Sequence, residues 1–386
     1  MTTIDALTDV RDRLTRLVRA LHTENLANEP KKTDPKRYTM REVETLVQRS
    51  YRAIRDAELS GKLPAPKLGP NKRRLGYTLA DINRARELFG TRLQRGEGDE
   101  TIRLAFANFK GGSAKTTTAV HAAEYFAEAG LRTLLVDCDP QGSATATFGY
   151  YPDGEIEPDD TLLPYMEGTR ESLDYAVRPT YWDGLDLIPA NLFLFDAEYG
   201  IAADASTGLQ RLRVGIESVE DRYDAIILDS PPALGMLSLS VMHAANAIVI
   251  PTAAANYDLY STRSFSHMLV EIAETLTRKG VDVDFKFVRL LITRLDENSE
   301  SQTALVDILP DFMGQTVMRQ MVRKTAALDR AGLHGRTLYE VSAEQMPRRT
   351  WKRALAHVDR ANAELIHLVR RTWPSHEDAM RQAAEI

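Results

Sequence analysis

Asn108-Phe-Lys-Gly-Gly-Ser-Ala-Lys-Thr-Thr-Thr118 follows an apolar run, Ile102 to Ala107, and leads into a helix-forming stretch. A strand, a glycine-rich turn and Lys-Thr-Thr-Thr opening a helix together make a cradle for phosphate. Glycines let backbone N–H groups converge on anionic oxygens, and the helix N-terminus adds its dipole. In such a cradle Gly111, Gly112, Ser113, Ala114 and Thr117 wrap the phosphates. Lys115 reaches the β- and γ-phosphates, and the Thr116 hydroxyl holds Mg²⁺. The common pattern G-x-x-x-x-G-K-[ST] fails at both glycines, because Phe109 and Ala114 stand there. The form that fits is K-G-G-x-x-K-T-T, with an additional lysine, Lys110, at its start. Alanine at 114 is small enough for close phosphate approach but resists a positive φ.

Outward from the loop, short apolar runs alternate with helical patterns. Strands are expected at Ile102–Ala107, Thr133–Val136, Leu185–Ile188, Ala225–Leu228, Ala247–Ile250 and Val288–Ile292. Most are apolar throughout, as strands of a parallel sheet covered on both faces are. The fold class expected is therefore α/β, a doubly wound, mostly parallel sheet over residues 100–386 with C-terminal helices. Carboxylates stand where two of these strands end. Leu134-Leu-Val-Asp-Cys-Asp-Pro-Gln-Gly-Ser143 carries Asp137 and Asp139, and Tyr223-Asp-Ala-Ile-Ile-Leu-Asp-Ser-Pro-Pro232 carries Asp229. Taken singly, any one of these aspartates reads as a helix cap or turn residue.

The two-lysine loop, followed by D-x-D-P-Q-G and then by a strand ending in Asp229, resembles the deviant Walker A ATPases of the ParA/MinD family. That resemblance implies a P-loop ATPase using ATP and Mg²⁺. Lys110 would cross a dimer interface to the partner's nucleotide, and Lys115 would bind phosphate. Asp137 and Asp229 would sit near the Mg²⁺ and its waters, and Asp139 would orient or activate the attacking water. Thr293 and Arg323 occupy the place of the family's base-proximal segments, with core or surface roles as the alternative. Three stretches look most like the long ParA-type plasmid partition proteins, the RepA type of repABC cassettes: Asn108–Lys115, Asp139–Gly149 and Thr350–Asn362. The resemblance implies an ATP-dependent homodimer with weak ATPase activity that is stimulated by a ParB-type partner. It further implies binding to non-specific double-stranded DNA, and an operator bound to repress its own promoter.

Two N-terminal segments precede the ATPase unit. In residues 1–28, Leu7, Val10, Leu14, Leu17, Val18 and Leu21 recur at helical spacing, which predicts an amphipathic helix that packs on a partner chain. Glu29–Lys36 reads as a linker. Residues 37–95 read as a compact helical module. Thr39 with Glu42 and Thr78 with Asp81 form capping-box patterns, and a second helix runs near Ser50–Ser60. Asn28 to Arg95 holds 17 Lys and Arg against 8 Asp and Glu, about +9, although the whole chain is −6. The stretch Tyr38–Phe89 resembles a MerR-type winged helix-turn-helix. Tyr51, Arg52 and Arg55 are the candidate groove contacts, and Lys72, Arg73 and Arg74 the candidate wing contacts. Arg348, Arg349, Lys352 and Arg353 form a second basic cluster suited to phosphates without base readout. A solvated charged surface is the alternative for both clusters.

Composition narrows the rivals. At 386 residues with 43% hydrophobic content, the chain exceeds one ordinary core, and more than one folded unit is expected. No run of eighteen apolar residues exists, and charges interrupt the first twenty positions, so neither a membrane span nor a secretory leader is expected. A single cysteine, Cys138, fits a reducing cytoplasm and leaves no pair to share an iron–sulfur cluster between subunits. The acidic, weakly apolar end Ser375–Ile386 lacks the basic amphipathic helix that a membrane-cycling relative needs. A metabolic ligase of the same fold has no use for the helix-turn-helix. The expected setting is cytoplasmic and nucleoid-associated. The alternative functions are positioning of another cargo, or DNA-binding regulation with an inert nucleotide site.

Overall fold

The computed structural model describes residues 3–28, 35–69, 71–203, 205–278, 283–341 and 346–384. Seven strands form one sheet: β1 (Ile102–Phe106), β2 (Thr133–Asp137), β3 (Arg178–Pro179), β4 (Leu185–Ile188), β5 (Ala225–Asp229), β6 (Ala247–Ala253) and β7 (Phe287–Thr293). Their spatial order is β3-β4-β2-β5-β1-β6-β7. Every pairing is parallel except β3 with β4, the one edge strand that hydrophobic patterning missed because it is two residues long. The parallel α/β expectation holds. β1 ends at Phe106, short of Ala107, so the approach to the glycine turn is already irregular.

Alternation along each strand divides the interior into two cores. Leu104, Phe106, Leu135, Ile227 and Val249 face one side. Ala105, Leu134, Val136, Leu228 and Ile248 face the other. Successive side chains point to opposite faces of a sheet, and both faces are covered here, which is why the runs read as continuously apolar.

The N-terminal helices are α1 (Thr3–Asn28), α2 (Met40–Val47), α3 (Tyr51–Leu59) and α4 (Leu79–Phe89). Both capping boxes form: Thr39 accepts from the Glu42 amide, and Thr78 from that of Asp81. Such caps contribute about 1 kcal/mol each. Residues 67–69 and 71–75 pair as the two arms of a small hairpin with a Leu68–Arg74 bridge. The module does not keep a private core. Tyr38, Val43, Val47, Ile54 and Ile82 join the same apolar cluster as Phe126, Leu185 and Trp373. The stretch Gly90–Asp99, which joins α4 to the sheet, is tied down as well. Arg92 Nε donates to Gly130 O at 2.9 Å, and Arg95 N donates to Asp224 Oδ1 at 3.3 Å. α1 differs: Ile4, Leu7, Val10, Leu14 and Leu17 are all more than half exposed, so its apolar stripe has no cover within the described residues. The side chains of Val18 and Leu21, and most of the linker Glu29–Lys36, lie outside the described residues. Among the described residues no helix is long and apolar enough to cross a membrane.

Candidate functional site

The loop 107–114 sits between β1 and α5 (Lys115–Ala129), at the carboxyl ends of the parallel strands, where open α/β sheets bind ligands. The two residues that break the common pattern have structural reasons. Phe109 packs edge-on against Phe265 of the helix Asn256–Arg278, ring centroids 4.6 Å apart. Asn108 Nδ2 donates to Pro251 O at 2.9 Å and approaches the hydroxyls of Thr252 and Thr262, while its Oδ1 accepts from Lys110 N. The loop is therefore pinned from below. Nothing in the sequence around Asn108 announces this role, because its partners lie on β6 and on the helix that follows it.

Ala114 adopts φ 69° and ψ 30°, left-handed, immediately before α5. This conformation costs a non-glycine residue about 1–2 kcal/mol. Ala114→Gly is accordingly expected to raise stability by about 0.5–1 kcal/mol after glycine's own entropy cost, read as a higher Tm. An unchanged or lower Tm would mean that the loop relaxes when the side chain is present.

Lys115 is buried, and its Nζ donates to Lys110 O at 3.3 Å. Burial lowers its pKa, and the charges of Asp229 and Asp139 oppose that shift. Asp137 and Asp229 are register partners on adjacent strands, so two carboxylates lie side by side in the interior. Burial pushes both pKa values up, aided by the charge of Asp139 at Asp137 and by that of Asp137 at Asp229. Their surroundings differ. Asp137 Oδ2 accepts from Thr145 N at 2.8 Å and from the Thr145 hydroxyl at 2.7 Å, and its Oδ1 accepts from Asp139 N at 3.1 Å. Its oxygens are thus engaged in shaping the turn that carries Asp139. Both oxygens of Asp229 are buried without a hydrogen bond of normal length, although the Thr116 hydroxyl and the Lys115 ammonium favour its charged form. An orphaned buried carboxylate beside a threonine hydroxyl calls for a cation or an ordered water. Among the described residues no group of three or more His, Cys, Asp or Glu side chains could hold a metal by itself. A cation here needs ligands from a bound phosphate, which suits Mg²⁺.

Asp139 is 7% exposed, and its Oδ1 accepts from Gln141 N at 3.0 Å. It lines a cleft of about 530 Å³ with Gly111, Lys115, Thr116, Pro232 and Arg336. A second cavity of about 260 Å³ is lined by Thr293, Arg294, Arg323, Lys324 and Asp329. The two share Gly112, Ala114 and Thr117, so they form one elongated trough over the loop. The sequence-predicted residues Lys110 to Thr117, Asp139, Thr293 and Arg323 all border this trough or the loop under it. Thr293 is fully buried and donates its hydroxyl to Ser113 O at 3.0 Å, which fixes the loop. Arg323 pairs with Glu297 at 2.6 Å.

Two neighbours were not legible in sequence. Arg294, at φ 51°, donates from a guanidinium nitrogen to Gly112 O at 2.9 Å. Asp258, in the first turn of Asn256–Arg278, pairs with Lys110 Nζ at 2.8 Å. Lys110 is therefore held within its own subunit in this structure.

Farther away, Tyr51 OH accepts from Arg55 at 2.6 Å, and Arg52 lies 3.8 Å from Asp56, both on the exposed face of α3. Arg74 is not free at the hairpin. Its guanidinium pairs with the buried Glu58 carboxylate at 2.8 Å and also donates to the Tyr77 hydroxyl, so it fastens the hairpin to α3. Lys72 and Arg73 stay exposed. Arg348, Arg349, Lys352 and Arg353 all lie exposed on the first turns of the helix Arg348–Arg370, which has no acidic residue in its first turn.

Residues 101–283 match a family model described as an AAA domain. The chain is 36% identical over 333 residues to Protein SopA of Escherichia coli (strain K12), covering 83% of this chain and 85% of that protein. It is 32% identical over 355 residues to a protein of Sinorhizobium fredii (strain NBRC 101917 / NGR234) provisionally named replication protein A, covering 88% and 87%. A solved structure described as a partition protein shares the fold over 97% of this chain and all of that one, with TM-score 0.71 at 18% identity. The cobyrinic acid a,c-diamide synthase of Mycobacterium smegmatis, solved with a bound ATP analog and magnesium, aligns over 58% of this chain and 88% of its own, with TM-score 0.52 at 28% identity. Identity of this order across most of both lengths is kinship rather than shared architecture alone, and the chain belongs to the ParA/Soj family of ATPases.

Proposed function

We propose that this ATPase segregates plasmid DNA. It binds ATP with Mg²⁺ in the trough over the loop and closes into a homodimer around the nucleotide. The dimer holds non-specific DNA, and slow hydrolysis under stimulation by a ParB-type partner releases it. The observation that carries the reading is the convergence of Lys115, Thr116 and Asp139 on one cleft, with the orphaned Asp229 carboxylate buried beside them. Phosphoryl transfer to water depends on positioning and on neutralised charge more than on a strong base. Lys115 and the loop amides grip the β- and γ-phosphates. Asp139 accepts a hydrogen bond from the attacking water and orients it, held in place by the Asp137–Thr145 buttress. Thr116 and Asp229 would hold Mg²⁺, which supplies charge neutralisation between the phosphates. Thr293 and Arg323 line the end of the trough assigned to the base. α1, with its uncovered stripe, would add a second contact between subunits.

Two DNA surfaces complete the reading. The module 37–95 acts as a winged helix-turn-helix that reads an operator at the gene's own promoter through Tyr51, Arg52, Arg55, Lys72 and Arg73, while Arg74 braces the wing. The cluster Arg348, Arg349, Lys352 and Arg353 binds phosphates of any sequence. Four cations at a helix N-terminus oppose the helix dipole, a cost that a polyanion offsets. Because the module shares its core with the ATPase unit, deleting it would expose apolar surface, and point variants are the cleaner test. Arg52→Glu with Arg73→Glu is expected to weaken promoter binding at least about tenfold with Tm unchanged. Arg349→Ala with Lys352→Ala is expected to lower the salt slope of random-duplex binding by roughly two. Unchanged binding in either case would remove that surface from the proposal. A phosphate-release assay with DNA and the ParB-type partner tests the whole: turnover that neither stimulates would leave an ATPase serving another cargo.

A further inference from the structure

We infer that α5 carries the nucleotide state to the two DNA surfaces through two separate buried joints, one at each end of the helix. The inference rests on the two surfaces proposed above and adds how each is told what the loop holds.

The first joint starts one turn into α5. Thr117 O, at the floor of the nucleotide trough, accepts from His121 Nδ1 at 2.7 Å. His121 Nε2 accepts from Leu338 N at 3.1 Å, although the two residues are 217 positions apart. The carbonyl of the same Leu338 accepts from Trp351 Nε1 at 3.0 Å. Trp351 sits between Arg349 and Lys352, inside the basic cluster. His121 is 5% exposed, and burial holds its pKa down at about 4, so the ring stays neutral with one tautomer fixed by its two partners. Asn362, 1% exposed, closes the frame by donating to His121 O and to the Tyr339 hydroxyl. A shift of the first turn of α5 on phosphate binding therefore acts on the peptide of Leu338, and through it on the helix that presents the cations. Replacing any member leaves a buried donor or acceptor unmatched, so the chain resists partial motion.

The second joint lies about three turns farther along, some 15–20 Å from the loop at 1.5 Å per residue. Glu128 accepts from Tyr38 OH at 2.7 Å and from Lys36 Nζ at 2.9 Å, both at the entrance to the helix-turn-helix module. The backbone carbonyl of Glu128 accepts from Arg86 at 2.8 Å, and Arg86, 2% exposed, also holds Leu46 O and Asn83. Gly130 O, just past the helix, accepts from Arg92. The C-terminal end of α5 thus holds α4 and the segment after it, and through Arg86 it reaches α2, which fixes the module's orientation to the helix that feels the phosphates.

The joints share α5 and approach each other where Lys36 Nζ lies 5.9 Å from the Tyr339 ring, but they have no hydrogen-bonding partner in common, so each can be broken alone. The experiment measures the affinity of the full-length protein for promoter duplex and for random duplex at one salt concentration, without nucleotide and with saturating ATP or ADP. The quantity read is the ratio of Kd values with and without nucleotide. Trp351→Phe and His121→Phe are expected to bring the random-duplex ratio to within about twofold of one and to leave the promoter ratio as in wild type. Tyr38→Phe and Glu128→Ala are expected to do the converse. Coupling between sites is commonly of order tenfold, which such ratios resolve. Tyr38→Phe removes one hydroxyl at nearly constant volume, and Trp351→Phe removes the indole N–H with some loss of ring volume at a half-buried position, so these two keep the test decisive if the other variants fold poorly. Both ratios falling together in Trp351→Phe or in Tyr38→Phe would overturn the separation, and neither ratio moving would overturn the transmission. A wild-type protein that binds neither duplex would overturn the DNA reading itself, a failure distinct from the other two.

Discussion

Asp139→Ala is expected to lower phosphate release at least about 100-fold while ATP still binds, because the variant keeps the whole loop and removes only the group that orients water. The position is well suited to that role. Asp139 is nearly buried at the edge of the cleft, burial raises its pKa, and the Gln141 amide and then Lys115 hold the shift in check. Its backbone is fixed from beneath by Asp137, whose oxygens are engaged with Thr145 and with the Asp139 amide. The variant should therefore accumulate in the ATP-bound state and hold random duplex longer than wild type. Release of phosphate at the wild-type rate would strike Asp139 from the mechanism and move attention to other groups lining the cleft.

Lys110→Gln carries the second large effect. Lys115 and the loop amides remain, so a single subunit is expected to bind ATP within several-fold of wild type. The dimer should be lost: light scattering with ATP is expected to report a monomer at concentrations where wild type is dimeric. The structure adds a condition to this expectation. Lys110 is paired with Asp258 inside its own subunit, so crossing to a partner's nucleotide requires that pair to open. A partly exposed ion pair of this kind contributes about 0–1 kcal/mol, which a charge-assisted bond to phosphate exceeds. If Lys110→Gln dimerises with ATP as wild type does, Lys110 belongs to the loop's own architecture and the sandwiched nucleotide falls.

Much of the fold was legible because its signals are local. Capping boxes are set by residues three apart, and both form as the spacing of Thr39 with Glu42 and of Thr78 with Asp81 predicts. The apolar strand runs follow from a sheet covered on both faces, and all six expected strands are present within a few residues. β3 escaped because two residues carry no period. Asp137 was legible as a residue near the site, but its engagement with Thr145 was not, since that contact depends on how the turn after β2 folds back. Arg74 looked the same as Lys72 and Arg73 in the basic run. Only the buried Glu58 on the neighbouring helix turns it inward.

For the loop Asn108–Thr118 the sequence alone supplied the expected chemistry: two lysines, small residues and a helix start make a cradle suited to phosphate. Its mechanics were decided by the tertiary structure. Asn108 is anchored to β6, Phe109 is seated on Phe265, and Thr293 holds Ser113. Ala114 is held left-handed between β1 and α5, and Lys110 is parked on Asp258. Each of these joins segments far apart in the chain. Residue type and spacing report what a side chain is able to do, whereas the partner it meets is set by packing that no local pattern encodes.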